Sequence, residues 1–198
     1  MNNSKLQKKG GLRQEGILVH AMPSILTGQR IPKDYFVTKG KGESDITVHA
    51  GSYHLALREA GIEMCNIMTY SSILPSIATE IERPEKLTHG AVMECIMAVA
   101  DAKKGERATA GIIYGWLFNK QTGDKYGGLV CEYHGPLTED EVTSQLRQSL
   151  EELYTNGYSE DYEMKDINLI TDSMIPKKKF GTALVSLCFT SYLFPVMN

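Results

Sequence analysis

The strongest constraint on this chain is a set of apolar runs: Ala91 to Ala100, Ala108 to Phe118 and Gly127 to Tyr133, separated by Gly- or Lys-containing turns, and Phe180 to Phe194, which follows a polar connection of Pro176 and Lys177 to Lys179. The longest apolar stretch, Ala183 to Met197, is interrupted by Ser186, Thr190, Ser191 and Pro195 and is too short to cross a bilayer, so it reads as a long buried strand. The first three runs read as consecutive strands of one largely antiparallel sheet, with Gly123-Asp124 marking a turn. Asp34 to Lys39, Cys65 to Tyr70 and Asp166 to Thr171 add further strands, and Gly40, Gly42 and Glu43 read as a loop after the first of these. Such sheets need helices or a second sheet over their apolar faces.

Two helices are legible. Thr138-Glu139-Asp140-Glu141 has the capping-box pattern, and Val142, Leu146, Leu150, Leu153 and Tyr154 then share one face before Gly157. A shorter helix carries Leu55, Ala56, Leu57 and Ala60, with Ser52 as its expected cap and Gly61 as its stop. Many strands with two helices make an α+β fold, and 198 residues, 42% of them hydrophobic, make one domain. Residues 1–30, rich in Lys, Gly and Gln, read as a partly ordered arm, and 31–198 as the domain.

A net charge of −3 without a basic stripe excludes a nucleic-acid partner. Cys65, Cys95, Cys131 and Cys188 are scattered and the five histidines have no ligand spacing, so no metal is expected. Lys5 to Lys9 lead into Gly-Gly-Leu-Arg-Gln-Glu rather than into a secretory core, which favours the cytoplasm over export or a membrane. Neither a P-loop nor a dinucleotide fingerprint is present.

Chemistry concentrates at Asn66-Ile-Met-Thr-Tyr-Ser71-Ser72-Ile-Leu-Pro75, where a strand reaches a turn at a serine pair and the proline prevents simple continuation of a ladder. This string resembles the self-processing segment of the pyruvoyl-dependent arginine decarboxylases. Ala56 to Ile62, His89 to Glu94, Glu132-Tyr133, Lys179-Phe180-Gly181 and the apolar tail extend the likeness over Asp34 to the C-terminus. The resemblance implies a four-layer αββα sandwich of largely antiparallel sheets, assembled as a homo-oligomer, trimer or hexamer, with its active site between subunits. It implies cleavage between Ser71 and Ser72, with Asn66 donating to the oxyanion and Ser72 becoming a covalent pyruvoyl group. Arginine would condense with that ketone as a Schiff base and leave as agmatine after losing carbon dioxide, Glu132 serving as the general acid.

One departure bears on the substrate. Relatives commonly carry a carboxylate where this chain has His54, and Glu43 or Asp45 would have to face the guanidinium instead. The alternatives are a pyruvoyl decarboxylase for another amino acid, a hydrolase using Ser72 in an uncut chain, and an unprocessed, non-enzymatic homologue. Ser76 also stands where many relatives have a second proline.

Overall fold

The computed structural model describes residues 27–196, so the expected arm lies outside the described residues as far as residue 26. Arg30–Leu193 form one compact unit, and the described flanking residues 27–29 and 194–196 group with each other, Gly28 N–H donating to the Pro195 carbonyl. Within the compact unit, β1 (Ile31–Pro32) pairs with β11 (Tyr192–Leu193). The remaining strands are β2 (Asp34–Ser44), β3 (Asn66–Thr69), β4 (Ile73–Pro75), β5 (Thr79–Glu80), β6 (Val92–Lys103), β7 (Ala108–Asn119), β8 (Lys125–Gly135), β9 (Tyr162–Met174) and β10 (Phe180–Phe189). Two α-helices, α1 (His54–Ala60) and α2 (Glu139–Gly157), complete the described elements, with one π-helical turn, Val48–Tyr53, leading into α1.

Apart from the β1–β11 pair, the strands form two sheets rather than the single one expected from the three successive runs. The first has the order β3-β6-β10-β2-β5, with β6, β10 and β2 antiparallel and the short edges β3 and β5 parallel to their neighbours. The second is antiparallel throughout, in the order β4-β8-β7-β9. The connection after β6 therefore crosses from one sheet to the other. Strand alternation then explains why the apolar runs lack polar alternation. On β7, Ile112, Tyr114 and Trp116 face the first sheet, while Ile113 and Leu117 face α2. On β10, Val185, Leu187 and Phe189 face the second sheet, while Leu184 and Cys188 face α1. Both faces of both central strands are covered, and the layers run α1, first sheet, second sheet, α2, the order that the resemblance implies. Among the described residues no helix is long and apolar enough to cross a membrane.

The helices dock for different reasons. α2 has the expected capping box, Thr138 and Glu141 each satisfying the other's backbone, and it buries Val142, Leu146 and Leu150. Leu153, expected on that face, is 39% exposed. α1 ends at Gly61 in the left-handed conformation, as expected, but Ser52 is not its cap. Ser52 sits inside the π-helical turn, fully buried, where its hydroxyl accepts from Thr182 at 2.9 Å. The expected loop at Gly40 and Gly42 is strand, because these glycines let α1 lie directly on β2. A Cβ at Gly42 would stand 2.2 Å from the Ser52 carbonyl oxygen, and one at Gly40 2.2 Å from that of Ala56.

This close approach makes a direct prediction. Gly42→Ala should destabilise the fold by about 1–3 kcal/mol through overpacking, whereas Gly157→Ala, with nothing within 4 Å of the added carbon, should not. Thermal melts of the two variants check it, and equal melting temperatures would mean that α1 does not press on β2.

Candidate active site at the Ser71–Ser72 peptide

The serine pair occupies the short passage between the two sheets. The Tyr70 N–H, just past β3, makes the last bond to the first sheet, donating to the Cys95 carbonyl at 2.7 Å. Ile73 begins β4 and pairs with Leu129 in the second sheet. Between them, the Ser72 carbonyl accepts from Val130 N–H at 3.1 Å, and Ile73 N–H donates to the Ser71 carbonyl at 3.0 Å, closing a three-residue turn about Ser72. Ser71 is exposed and Ser72 half-buried.

Glu132 reaches this turn from β8. Val130 faces the core between the sheets, and Glu132, two residues on, shares that face at its edge. The Ser72 hydroxyl lies 2.8 Å from each Glu132 carboxylate oxygen, a bifurcated bond from one proton. Burial is the largest influence on this carboxyl and pushes its pKa up, while the Ser72 hydroxyl, its own backbone amide and the nearby His134 pull the other way. A carboxyl so placed keeps its proton to a higher pH than an exposed glutamate does. Burial, reinforced by the Glu132 charge, also raises the neighbouring Cys131 thiol, which keeps that sulfur protonated and a poor nucleophile.

The other residues singled out in the sequence lie elsewhere. Asn66 is at the far end of β3, exposed, and its amide donates to the Gly90 carbonyl at 2.9 Å. The donor on the Ser71 carbonyl is the Ile73 backbone instead, a group that residue-type reasoning cannot single out. Glu43 accepts from Lys178 N–H at 3.3 Å and Asp45 from Lys179 N–H at 3.2 Å, so both carboxylates hold the turn before β10. His54 is exposed at the start of α1, where it lines a surface pocket with His49, Ala50, Tyr53 and Leu57. Sequence reasoning also gave no role to Glu94, whose buried carboxylate in an apolar strand was the available signal.

The profile of pyruvoyl-dependent arginine decarboxylases matches residues 34–194. The chain belongs to that family. It is 40% identical over 122 residues to a pyruvoyl-dependent arginine decarboxylase of Methanococcoides burtonii, a match covering 59% of this chain and 63% of that protein. It is 31% identical over 189 residues to a pyruvoyl-dependent arginine decarboxylase of Chlamydia muridarum, covering 83% of this chain and 94% of that one. A probable pyruvoyl-dependent arginine decarboxylase of Chloroherpeton thalassium is 33% identical over 133 residues, with 61% and 70% covered.

The cofactor of the pyruvoyl-dependent arginine decarboxylases is a covalent pyruvoyl group, and the residues at position 72 fit it. Val130 N–H and the β4–β8 pairing hold residue 72 without help from the Ser71–Ser72 bond, so a new chain end there stays in place. Glu132 is within hydrogen-bond distance of its side chain. In the uncleaved Ser72→Ala chain, burial remains and the bond that lowers the Glu132 pKa is gone. Its carboxyl should therefore titrate above the ordinary glutamate range, as followed by carbon-13 NMR. A midpoint at or below that of an exposed glutamate would mean that burial does not dominate.

Proposed function

We propose that the chain cuts itself between Ser71 and Ser72 and then converts arginine to agmatine and carbon dioxide, with Glu132 moving protons at residue 72. The observation that carries this reading is the Ser72 hydroxyl held against Glu132 at a peptide bond anchored on both sides. In the uncut chain the Glu132 carboxylate takes the hydroxyl proton as Ser72 Oγ bonds to the Ser71 carbonyl carbon. Ile73 N–H stabilises the oxyanion that develops, a donor of a kind typically worth roughly 3–4 kcal/mol. The C–N bond then breaks, the Ser72 nitrogen takes the proton, and the amide has become an ester. Loss of the Ser72 α-proton expels the Ser71 carboxylate from Cβ and leaves dehydroalanine. Its tautomer adds water and releases ammonia, which leaves residue 72 as the pyruvoyl end of the larger fragment. On this reading Asn66 acts only through the Gly90 carbonyl that anchors the start of β3.

The pyruvoyl group supplies an electrophilic ketone for the substrate amine and an electron sink for the departing carbon dioxide. Glu132 then returns a proton to the substrate carbon. Self-cleavage itself retunes Glu132 for this second role, because the Ser72 hydroxyl, which lowers its pKa, is consumed while the burial that raises it stays. The same carboxyl thus favours the ionised form, available to take a proton, before cleavage, and the protonated form, available to give one, after it.

The family match over residues 34–194 supports arginine as substrate and the part of the chain from residue 31 onward as the catalytic domain. A pyruvoyl decarboxylase for another amino acid is the second reading, favoured by one observation: Glu43 and Asp45 are engaged by backbone amides, and a histidine stands at position 54. We further propose a homo-oligomer, trimer or hexamer, in which a neighbour covers the exposed side of the Ser71–Ser72 turn. Exposed Met68 and Ile73, on either side of that turn, support it. A cytoplasmic location agrees with four free thiols.

Intact mass under denaturing conditions tests the first step. Fragments of about 8 and about 14 kDa are expected, by proportion of the 22.0 kDa chain, and Ser72→Ala should remain whole. Borohydride with arginine should add substrate-derived mass to the larger fragment; cleavage without that adduct would unseat arginine, and an uncut wild-type chain would overturn the whole reading. The pH dependences should be opposite in sign. Cleavage needs the Glu132 carboxylate, so it speeds up as pH rises through the elevated pKa. Decarboxylation needs the protonated acid and is lost above the pKa of the mature site. Parallel pH–rate profiles for the two reactions would rule out the shared carboxyl.

A further inference from the structure

A second carboxylate lies on the opposite side of the serine pair. Glu94 is on β6 and alternates with Ile96 and Ala98, which face the core between the sheets. Its side chain is only 4% exposed. Such a burial is costly unless the charge is paired and its lone pairs are satisfied. Among the described residues, two meet that requirement. The Arg30 guanidinium forks onto both carboxylate oxygens, with Nε 3.1 Å from Oε2 and Nη2 on Oε1. The Tyr70 hydroxyl donates to Oε2.

Tyr70 is the residue before the serine pair. Its N–H is on the Cys95 carbonyl, its ring lies 5.6 Å from that of Phe189, and its hydroxyl is on Glu94. Arg30 is held a second time, its guanidinium 5.8 Å from the centre of the Tyr192 ring. We propose that Glu94 is a positioning residue for self-cleavage, holding Tyr70, and through it the Ser71 carbonyl, in line with the Ser72 hydroxyl. Val130, Glu132 and the β4–β8 ladder fix the nucleophile's side of the scissile bond; the clamp on Tyr70 fixes the carbonyl side. Attack across a peptide bond needs both sides fixed, because a misplacement of about 1 Å can cost about 100-fold in rate. Arg30 supplies the charge that lets Glu94 remain an ionised acceptor in a buried position.

This proposal rests on the self-cleavage reading, and the experiment separates the two. Full-length wild type, Tyr70→Phe, Glu94→Gln and Arg30→Met are produced as uncut or partly cut chains, and fragment formation is followed by intact mass with and without hydroxylamine. Circular dichroism and thermal melts accompany each sample. An uncut wild type would sink the self-cleavage reading itself. With a wild type that cuts, Tyr70→Phe should slow cleavage about 10-fold, the loss expected for one hydrogen bond to a charged group. Glu94→Gln should slow it further, and Arg30→Met should slow it as well. Hydroxylamine, which cleaves esters, should release no extra fragments from Glu94→Gln, because poor positioning blocks formation of the ester. Cleavage at the wild-type rate in folded variants would reduce Glu94 to a stabilising contact and overturn the proposal, and so would rapid release by hydroxylamine, which moves the defect to the elimination. Should Glu94→Gln fail to fold, Tyr70→Phe, which removes a single hydroxyl, decides.

Discussion

The passage of the chain from the Cys95 carbonyl to the Val130 amide is the constraint on which the site depends. On one side Tyr70 is bonded into the first sheet; on the other, the Ser72 carbonyl is bonded into the second. The sheets are locked face to face by Tyr35, Ile96, Leu187 and Phe189 against Ile112, Tyr114 and Trp116, and packed interiors of this kind do not deform continuously. Residues 71 and 72 must therefore bridge a fixed gap. A turn so spanned cannot relax by sliding either strand, which keeps the Ser72 hydroxyl at the Glu132 carboxyl.

Each sheet contributes one carboxylate to the core-facing side of this bridge, and their surroundings push them toward different roles. Glu94 is deep, forked by a guanidinium and capped by a phenol, and is committed as a fixed charge. Glu132 accepts from the Ser72 hydroxyl, which the proposed chemistry consumes, and is itself only half-buried. Burial raises its pKa against the opposing pull of the Ser72 hydroxyl and His134, which suits it to exchange a proton. The same residue type thus serves as anchor on one side and as proton carrier on the other, the difference lying in whether an arginine is within reach.

Much of this was legible in the sequence, for identifiable reasons. The capping box of α2 and the glycine stop of α1 are local codes, and both appear as read. The apolar runs predicted strands because β-branched and aromatic residues on a doubly covered surface leave no polar alternation. What they could not give was the division into two sheets, since nothing local in Lys104 to Arg107 distinguishes a crossover from a hairpin. Gly40 and Gly42 misled for a similar reason: a glycine needed for close helix approach looks, in sequence, like a loop residue. At the site, Ser72 and Glu132 were found through family likeness and stand together in space. Asn66 was read as the oxyanion donor, yet its amide is at Gly90 and the donor on the Ser71 carbonyl is main chain. Backbone donors are common to every residue type and leave no mark in composition.

The strand order also bears on how such a chain could be cut without falling apart. Cleavage between residues 71 and 72 would leave β2, α1 and β3 on the smaller fragment and β6 and β10 on the larger. In the first sheet β2 lies between β10 and β5, while β3 lies against β6, so the smaller fragment's strands are paired only with strands of the larger one. The β2–β10 ladder alone runs from Tyr35 opposite Phe189 to Ser44 opposite Phe180, and α1 is buried on residues of both fragments. Separation would expose that core at a cost of about 25 cal/mol for each Å² of apolar surface. The Arg30 and Tyr70 bonds to Glu94 cross the same divide, since both donors belong to the smaller fragment and the acceptor to the larger. The new carboxylate at the exposed Ser71 can meet water, so the cut need not leave an unpaired charge in the core. A topology that threads one fragment through the sheet of the other allows the backbone to be broken at the site while both new ends stay where the chemistry needs them.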